Sequence, residues 1–238
     1  MRLSEFFDVS QSPDAATFES RLVRFGHEMG FQIVSGALVV EHPGPTRRAS
    51  FISVGNTPES FSANYENLAD SLRDPVLKRM KRLSVPFLYD QDLYTSEGAA
   101  DLWEQQAPYG YRTGISVALH LPGHRHFLLG MDREQALPRQ ERRLTRLLAD
   151  LQLLAVHAQD AAVRLLAPSD DLRPMPRLTE RELEVLRWTM DGKSAWAVGE
   201  ILSISEHTVN FHLRNVFGKL GASSKHQAVL KALALGLI

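Results

Sequence analysis

The chain has 238 residues, of which 44% are hydrophobic and 23% are charged, and its formal net charge is −1 at pH 7. This is the composition of a globular protein, and the length suits either one large domain or a medium domain with a small one. Cysteine is absent, which excludes disulfides, thiolate catalysis and cysteine-ligated zinc.

Charge and hydropathy along the chain bear on its location. The tail from Arg177 is mildly basic, and the rest of the chain is mildly acidic. The first residues are acidic and polar where a signal peptide needs an apolar core. No apolar run approaches the roughly 20 residues that cross a bilayer. We therefore expect a cytoplasmic protein that does not contact a membrane.

The first elements in chain order mix helix and strand. Residues 15–29 place apolar side chains on one face at helical spacing, which predicts an amphipathic helix. Residues 31–40 are rich in β-branched and apolar residues and predict a buried strand. Residues 51–55 have the same character and predict its partner strand.

The next elements extend this mixed pattern. Residues 58–69 and 74–83 predict short helices, and residues 114–121 and 126–132 predict two strands of a hairpin. Residues 138–166 predict a long helix with one continuous apolar stripe, which can pack on the sheet or form a dimer contact. The stripe consists of Leu144, Leu147, Leu148, Leu151, Leu154, Ala155, Ala158, Ala162 and Leu165. Helices on an antiparallel sheet define an α+β class, here an α/β/α sandwich.

A domain boundary is predicted in residues 166–176. Three prolines, two adjacent aspartates and a serine in this segment oppose both a continuing helix and a packed core, as in exposed linkers. The boundary separates a first domain, residues 1–165, from a second, residues 177–238.

The second domain has the local signals of three consecutive helices. Thr179 and Glu182 have capping-box spacing, and Gly192 marks a helix end. Residues 195–202 predict a short second helix, and Ser205 is the expected N-cap of a third. This all-α pattern predicts a helix-turn-helix, although a generic three-helix bundle would have a similar pattern.

The third helix has an apolar side and a polar side. Its apolar side recurs at three- and four-residue spacing and should face the core: Val209, Leu213, Val216 and Leu220. The opposite side carries Glu206, His207, Asn210 and Arg214. A polar N-terminal half on such a helix is what a DNA recognition helix presents to the major groove.

From Leu178 to the C-terminus the sequence closely resembles the DNA-binding domain of LuxR-family quorum-sensing regulators. The matching positions are Glu182, Leu186, Gly192, Thr208, Val209, Lys219, Leu220 and Gly221. The resemblance implies that Asn210 and Arg214 face base edges, beside His207 and Thr208. Asn and Arg can bind adenine and guanine edges through two hydrogen bonds. Three lysines are better suited to phosphates: Lys193, Lys219 and Lys225.

The region before the linker resembles the autoinducer-binding domain of the same family. The match consists of Tyr65, Asp74-Pro75, Pro86-Phe87, Gly110 and Gly114. A phospho-receiver domain, which some family members carry instead, would need a parallel sheet with acidic residues at strand ends, and the pattern lacks this alternation. The resemblance therefore implies a pocket for an acyl-homoserine lactone or a related small signal.

The same resemblance assigns roles in this pocket. Asp74 would accept a hydrogen bond from the amide of the signal, and Tyr89 and Trp103 would pack beside its head group. Phe61 and Tyr65 are four residues apart on one predicted helix face, so both rings can line a single cavity. The expected lining also includes Thr57, Val76 and Gly130.

Four of these positions depart from the family pattern. Phe61 stands where the family has a tryptophan whose N–H holds the lactone carbonyl, and phenylalanine has no donor. Losing that donor costs about 1–3 kcal/mol. Tyr89 also replaces a tryptophan, Thr57 falls where a tyrosine is common, and Gly130 where a hydroxyl residue can stand. Either another group supplies the donor, or the signal is not a lactone.

Simpler interpretations stay open for several residues. Asp74 before Pro75 is also a good helix N-cap. The aromatic side chains of the predicted pocket can be ordinary core residues. His120, His124 and His126 span a hairpin turn without an evident carboxylate, so we expect no metal site.

We expect a regulator and not an enzyme. Residues 114–118 do not continue as a nucleophile elbow, and we find no nucleophile with a base. A lactone hydrolase with a regulatory tail is the enzyme alternative. The predicted partners are a small signal, a second copy of the chain and double-stranded DNA with a palindromic operator, and no other cofactor is expected.

Overall fold

The first domain is built around an antiparallel sheet. The computed structural model describes residues 1–42, 48–58, 68–167 and 176–238. Five strands form the sheet in the order β2-β1-β5-β4-β3. Their bounds are β1 Ile33–His42, β2 Arg48–Gly55, β3 Phe87–Tyr89, β4 Thr113–Leu121 and β5 Arg125–Arg133. The predicted strand pair and the predicted hairpin are both confirmed.

Helices precede, interrupt and follow these strands. Their bounds are α1 Leu3–Ser10, α2 Ala15–Glu28, α3 Leu68–Arg73, α4 Pro75–Met80, α5 Gln91–Ser96, α6 Ala100–Gln106 and α7 Glu141–Leu166. The predicted helix over residues 15–29 is confirmed, the one over 74–83 is shorter than predicted, and the long helix begins three residues late. The predicted helix over 58–69 lies almost wholly outside the described residues. Helices α1, α5 and α6 are additions that the sequence pattern did not predict.

One face of the sheet carries the apolar core. Because successive strand residues point to opposite faces, Ile115 and Val117 lie on this side with Phe127, Leu129 and Met131. They pack with helices α1, α2 and α7. The α7 stripe is buried here through Leu151, Leu154, Ala155, Ala158 and Ala162. Five of the nine stripe residues thus pack on the sheet, as predicted, whereas a dimer contact by this helix stays a prediction.

The other face of the sheet has smaller and more polar residues. Gly114 and Ser116 of β4 pair with Asp132 and Gly130 of β5, and Tyr89 of β3 pairs with Gly114. Over this face lies a second apolar cluster, which draws on α4, α5 and α6: Val76, Met80, Leu93, Tyr94, Ala99 and Leu102. Helices therefore cover both faces, and the predicted α/β/α sandwich is confirmed.

The second domain consists of four helices. They are α8 Glu180–Met190, α9 Ala195–Leu202, α10 Glu206–Leu220 and α11 Lys225–Ala234. The predicted capping box of Thr179 and Glu182 is present, and the Ser205 side chain caps α10. The four residues predicted to face the core from α10 are all buried. Helix-turn-helix order is confirmed.

The turn between α9 and α10 depends on close backbone contact. Gly199 lies where an added Cβ would come within 2.7 Å of the Ile204 carbonyl oxygen. Ser203 ends α9 in the left-handed region at φ 54°. A side chain at residue 199 would push the two helices apart, so glycine is required there.

The boundary between the domains falls near residues that are not described. The chain divides into two compact units. Helix α7 continues through Leu166, the first residue of the predicted linker, and residues 168–175 lie outside the described part. The boundaries at 165 and 177 stay a prediction. In the described ranges no helix is both long and apolar enough to cross a membrane.

Candidate functional site

The polar side of α10 forms a concave surface on the second domain. His207, Asn210 and Arg214 line a depression of about 270 Å³ together with Lys225 from the start of α11. His207, Arg214 and Lys225 are exposed, and Asn210 is half-buried. The fold thus brings together four of the seven residues predicted to bind DNA. Their contacts with bases or phosphates stay a prediction.

The other three predicted residues have different positions. Thr208 belongs to the N-cap of α10, because its N–H donates to Ser205 Oγ at 3.1 Å and its hydroxyl lies 2.8 Å from the same atom. Lys193 is exposed in the turn before α9. Lys219 Nζ donates to Glu182 Oε2 at 2.6 Å, which gives this lysine a role inside the domain.

The Glu182 carboxylate joins two helices of the second domain. Its side chain is 4% exposed, and the same Oε2 accepts a hydrogen bond from the Thr179 N–H at 2.8 Å. Burial raises the pKa of Glu182, but the hydrogen bonds from Lys219 and Thr179 outweigh burial and hold the pKa below its ordinary value. The Lys219 ammonium is therefore engaged in an internal ion pair, which disfavours its predicted role as a phosphate contact.

In the first domain, Asp74 is a buried helix cap. Its Oδ1 accepts hydrogen bonds from the N–H groups of Val76, at 2.7 Å, and Leu77, at 3.0 Å. Its Oδ2 accepts a 3.4 Å hydrogen bond from the Tyr94 hydroxyl. The capping interpretation is confirmed, whereas contact with a signal stays a prediction. The second oxygen is thus held by Tyr94, and the charge of Asp74 lies close enough to Asp132 on the polar face of the sheet to raise the pKa of Asp132.

A second buried carboxylate lies beside Asp74 and was not predicted from the sequence. Tyr89 Oη donates to Asp132 Oδ1 at 2.6 Å, and both side chains are buried. Gly114 makes room for this pair, because an added Cβ there would lie 2.4 Å from Tyr89 Oη. Tyr89, predicted as a packing residue, is thus a hydrogen-bond donor as well.

The electrostatics of this pair follow from burial. Burial raises the pKa of Asp132 to about 7; the hydrogen bond from Tyr89 opposes the rise, and the nearby charge of Asp74 adds to it. Burial and the charge of Asp132 raise the pKa of Tyr89 well above its ordinary value, so the phenol keeps its proton and donates. The sequence did contain a signal for Asp132. It lies two residues from the predicted lining residue Gly130, and strand alternation places both on the same face of the sheet.

Two further polar side chains are buried in this domain. Ser116 is 1% exposed and Gln106 is 5% exposed. Ser116 lies close enough to the Tyr89 hydroxyl, and Gln106 to the Tyr94 hydroxyl, to lower the pKa of each phenol, although in the described ranges neither Ser116 Oγ nor Gln106 Nε2 forms a hydrogen bond of normal geometry. Nearby, the Ser35 hydroxyl lies 2.8 Å from the Thr57 hydroxyl and 3.3 Å from the Tyr111 hydroxyl. Thr57, a predicted lining residue, therefore belongs to this polar side of the sheet.

The remaining predicted pocket residues differ in position. Val76 is buried in the cluster over the sheet, and Gly130 allows Ser116 to approach closely, because an added Cβ there would lie 3.1 Å from Ser116 Oγ. Trp103 packs at the edge of the cluster, and its indole N–H donates to the Arg112 carbonyl at 3.2 Å. Two predicted residues lie outside the described part of the chain: Phe61 and Tyr65.

The histidines of the hairpin form a small separate group. His120 Nδ1 lies 2.8 Å from His126 Nδ1, and His126 Nε2 lies 3.8 Å from Glu41 Oε1. His124 is in the turn at φ 57°. Across the residues that the structure describes, no group of three or more His, Asp or Glu is placed to hold a metal ion.

A sensory α/β/α domain followed by a helix-turn-helix defines a ligand-responsive transcription regulator. Residues 14–162 match the family model of the autoinducer binding domain, and residues 176–232 match that of bacterial regulatory proteins of the luxR family. The chain belongs to the LuxR family and is a transcriptional regulator of the quorum-sensing type.

Relatives agree with this assignment over most of their length. Regulatory protein SdiA of Escherichia coli is 33% identical over 205 residues, which cover 85% of this chain and 82% of SdiA. The quorum-sensing regulator RhlR of Pseudomonas aeruginosa is 31% identical over 203 residues, covering 84% and 81%. The structure of SdiA in complex with octanoyl-rac-glycerol aligns with a TM-score of 0.76 at 27% identity, covering 98% of this chain and 93% of that one.

Proposed function

We propose that this regulator binds an acyl-homoserine lactone or a related small amphiphile on the polar face of its sheet and, as a homodimer, binds a palindromic DNA site. The convergence of His207, Asn210, Arg214 and Lys225 on one depression supports the DNA-binding part. These side chains combine donors for base edges with positive charge for phosphates. Paired recognition helices would contact half-sites about one helical turn apart.

Selection of bound sequences from random duplex DNA tests the DNA-binding part. We expect an inverted repeat, and Arg214→Ala should weaken binding to it by about 1–3 kcal/mol and relax the preference at one base pair of each half-site. Arg187→Ala is the matched control, because Arg187 is exposed on α8 and does not line the depression. An equal loss for Arg214→Ala on every DNA sequence would show a phosphate contact only.

Binding of the signal is proposed on the polar face of the sheet. Asp74 places a carboxylate oxygen there through its cap, and a ligand amide could donate to it. A signal that binds only the folded state stabilises that state by mass action. We expect ligands to raise the melting temperature of the full chain, and Asp74→Asn to reduce the ligand-induced rise more than it reduces the melting temperature itself. If the melting temperature of Asp74→Asn responds to ligand concentration as wild type does, Asp74 acts only as a helix cap.

A signal other than a lactone is the second candidate. Phe61 lacks the donor that would hold a lactone carbonyl, and the relative SdiA has been solved with octanoyl-rac-glycerol, which has no lactone ring. Melting curves with a panel of lactones and with cell extracts separate the two candidates. A rise with extract and none with any lactone would favour the second.

The proposed role requires neither a catalytic group nor a metal, and the protein would act in the cytoplasm, where its DNA is. The enzyme alternative has a direct test. A lactone incubated with the purified chain should keep its mass, whereas a gain of one water would indicate hydrolysis.

A further inference from the structure

An exposed phenylalanine lies in the middle of the polar side of α10. The side chain of Phe211 is 50% exposed. Phe211 follows His207 by four residues and precedes Arg214 by three, so the three side chains share one face of the helix. The preceding residue, Asn210, lines the depression together with His207 and Arg214. A partner that contacts this part of α10 therefore meets the phenyl ring as well.

The packing of the second domain does not use this ring. The core side of α10 consists of Val209, Leu213, Val216 and Leu220. Across residues 176–238, which the structure describes throughout, neither apolar cluster includes Phe211. The ring lies edge-on to the imidazole ring of His212, with the two centroids 5.7 Å apart. Because apolar surface gains free energy when it leaves water, a partner that covers this ring would bind more tightly than one that leaves it exposed.

The chemistry of the major groove limits what such a ring can contact. A phenyl ring has no conventional hydrogen-bond donor or acceptor. If it covered a base-edge nitrogen or oxygen, that atom would lose its hydrogen bonds to water without replacement, which is unfavourable. The apolar group that base edges present in the major groove is the C5 methyl group of thymine. A phenylalanine in the groove therefore favours a thymine over the other three bases.

We propose that Phe211 is a specificity-determining residue that contacts the C5 methyl group of one thymine in each half-site. The proposal rests on the proposed binding of α10 to base edges, and it adds an apolar contact to the hydrogen bonds proposed for Asn210 and Arg214. Three residues span about 4.5 Å along a helix, and neighbouring base pairs are about 3.4 Å apart. The thymine should therefore lie one or two base pairs from the base pair that Arg214 contacts.

Replacement of single thymines by deoxyuridine tests this contact. Uracil pairs as thymine does but lacks the C5 methyl group, so each replacement removes one methyl group and no hydrogen bond. Binding of the full chain is measured by fluorescence anisotropy on the duplex selected from random DNA, with one thymine position replaced at a time. We expect a loss of about fourfold in affinity for each half-site at one position, and little change at the others.

A double-mutant cycle assigns this loss to the ring. Phe211→Ala should weaken binding to the thymine duplex and abolish the difference between thymine and uracil at that position alone. Because Phe211 is exposed, the variant should keep the melting temperature of wild type. Trp196→Ala is the matched control, because Trp196 is an aromatic residue of α9 that is 62% exposed. It should keep the full difference between thymine and uracil.

The possible failures are distinguishable. If uracil is tolerated at every position, or if Phe211→Ala keeps the full penalty for uracil, the methyl contact is overturned and sequence-specific binding by α10 stands. Equal weakening of Phe211→Ala on every DNA sequence would also overturn it, because the ring would then contact the sugar–phosphate backbone. If the folded chain shows no sequence preference at all, both the methyl contact and the proposed reading of bases by α10 fail.

Discussion

Replacing Asp132 with asparagine should remove a pH-dependent destabilisation of the folded chain. The carboxyl group is buried, accepts a hydrogen bond from Tyr89 and lies near Asp74. Burial raises the pKa of Asp132 from its ordinary 3.8 to about 7 in the folded chain. Asparagine has a similar shape and keeps an acceptor for Tyr89, but it cannot ionise.

The sign of the effect follows from proton binding. Between pH 3.8 and 7 the unfolded chain has an ionised Asp132, whereas the folded chain keeps the proton. The folded state therefore binds more protons, and its stability falls as pH rises through this window and levels off above about 7. A difference of about 3 in pKa corresponds to about 4 kcal/mol, and roughly 2–3 kcal/mol of this is lost between pH 5 and pH 8.

Urea denaturation of the ligand-free chain at several pH values measures this quantity. Relative to wild type, the free energy of unfolding of Asp132→Asn should rise by roughly 2–3 kcal/mol from pH 5 to pH 8. Fluorescence of Trp103, with the other two tryptophans replaced by phenylalanine, reports on the first domain alone. The free energy of unfolding of Asp160→Asn should change with pH as that of wild type does, because the Asp160 carboxyl group is exposed.

If the free energy of unfolding depends on pH in the same way for wild type and Asp132→Asn, this reasoning is refuted. They would mean that Asp132 is ionised in the folded chain at the same pH as in the unfolded chain. Solvent would then reach the carboxyl group in the folded chain.

Three other substitutions test separate parts of the structure. Lys219→Ala should lower the free energy of unfolding of the second domain by about 1–3 kcal/mol, measured by urea denaturation, because it leaves the buried Glu182 without its cation. Ser205→Ala should cost about 1 kcal/mol in the same assay, since it removes the N-cap of α10. Gly114→Ala should cost about 1–3 kcal/mol in the first domain and abolish the ligand-induced rise in melting temperature, because the new methyl group collides with Tyr89.

Each of these predictions has an outcome that contradicts it. A Lys219→Ala variant of normal stability with weaker, less salt-dependent DNA binding would make this lysine a phosphate contact. An unchanged free energy of unfolding after Ser205→Ala would show that the Ser205 cap does not stabilise α10 measurably. Normal ligand binding by Gly114→Ala would place the signal away from Tyr89. Lys231→Ala is a matched lysine control, because Lys231 bonds backbone carbonyls at the end of α10 and no carboxylate.

Local sequence patterns predicted three of the four helices of the second domain, α8, α9 and α10, but not α11. These signals are local: Thr179 and Glu182 are three residues apart, and Ser205 caps Thr208 over the same distance. The apolar pattern of α10 repeats over enough turns to identify a helix without ambiguity. Such signals depend on backbone hydrogen bonds within one turn, so no knowledge of distant contacts is required.

For the first domain, the sequence predicted the structural class and the main strands. Two strand-like segments on either side of a turn predicted the hairpin, and Asp74 before Pro75 predicted a cap that the structure confirms. Helices α1, α5 and α6 have six to eight residues each. So few residues give too short a periodic pattern, and their stability comes from packing on the sheet.

Which polar groups contact each other could not be predicted without the three-dimensional fold. Tyr89 and Asp132 are 43 residues apart, and Glu182 and Lys219 are 37 apart. In the sequence, a lysine that binds phosphate and a lysine that holds a buried carboxylate look the same, because both are long cations on amphipathic helices. Burial and strand register separate them, since an ionised group in the interior needs a partner that only the folded chain brings within reach.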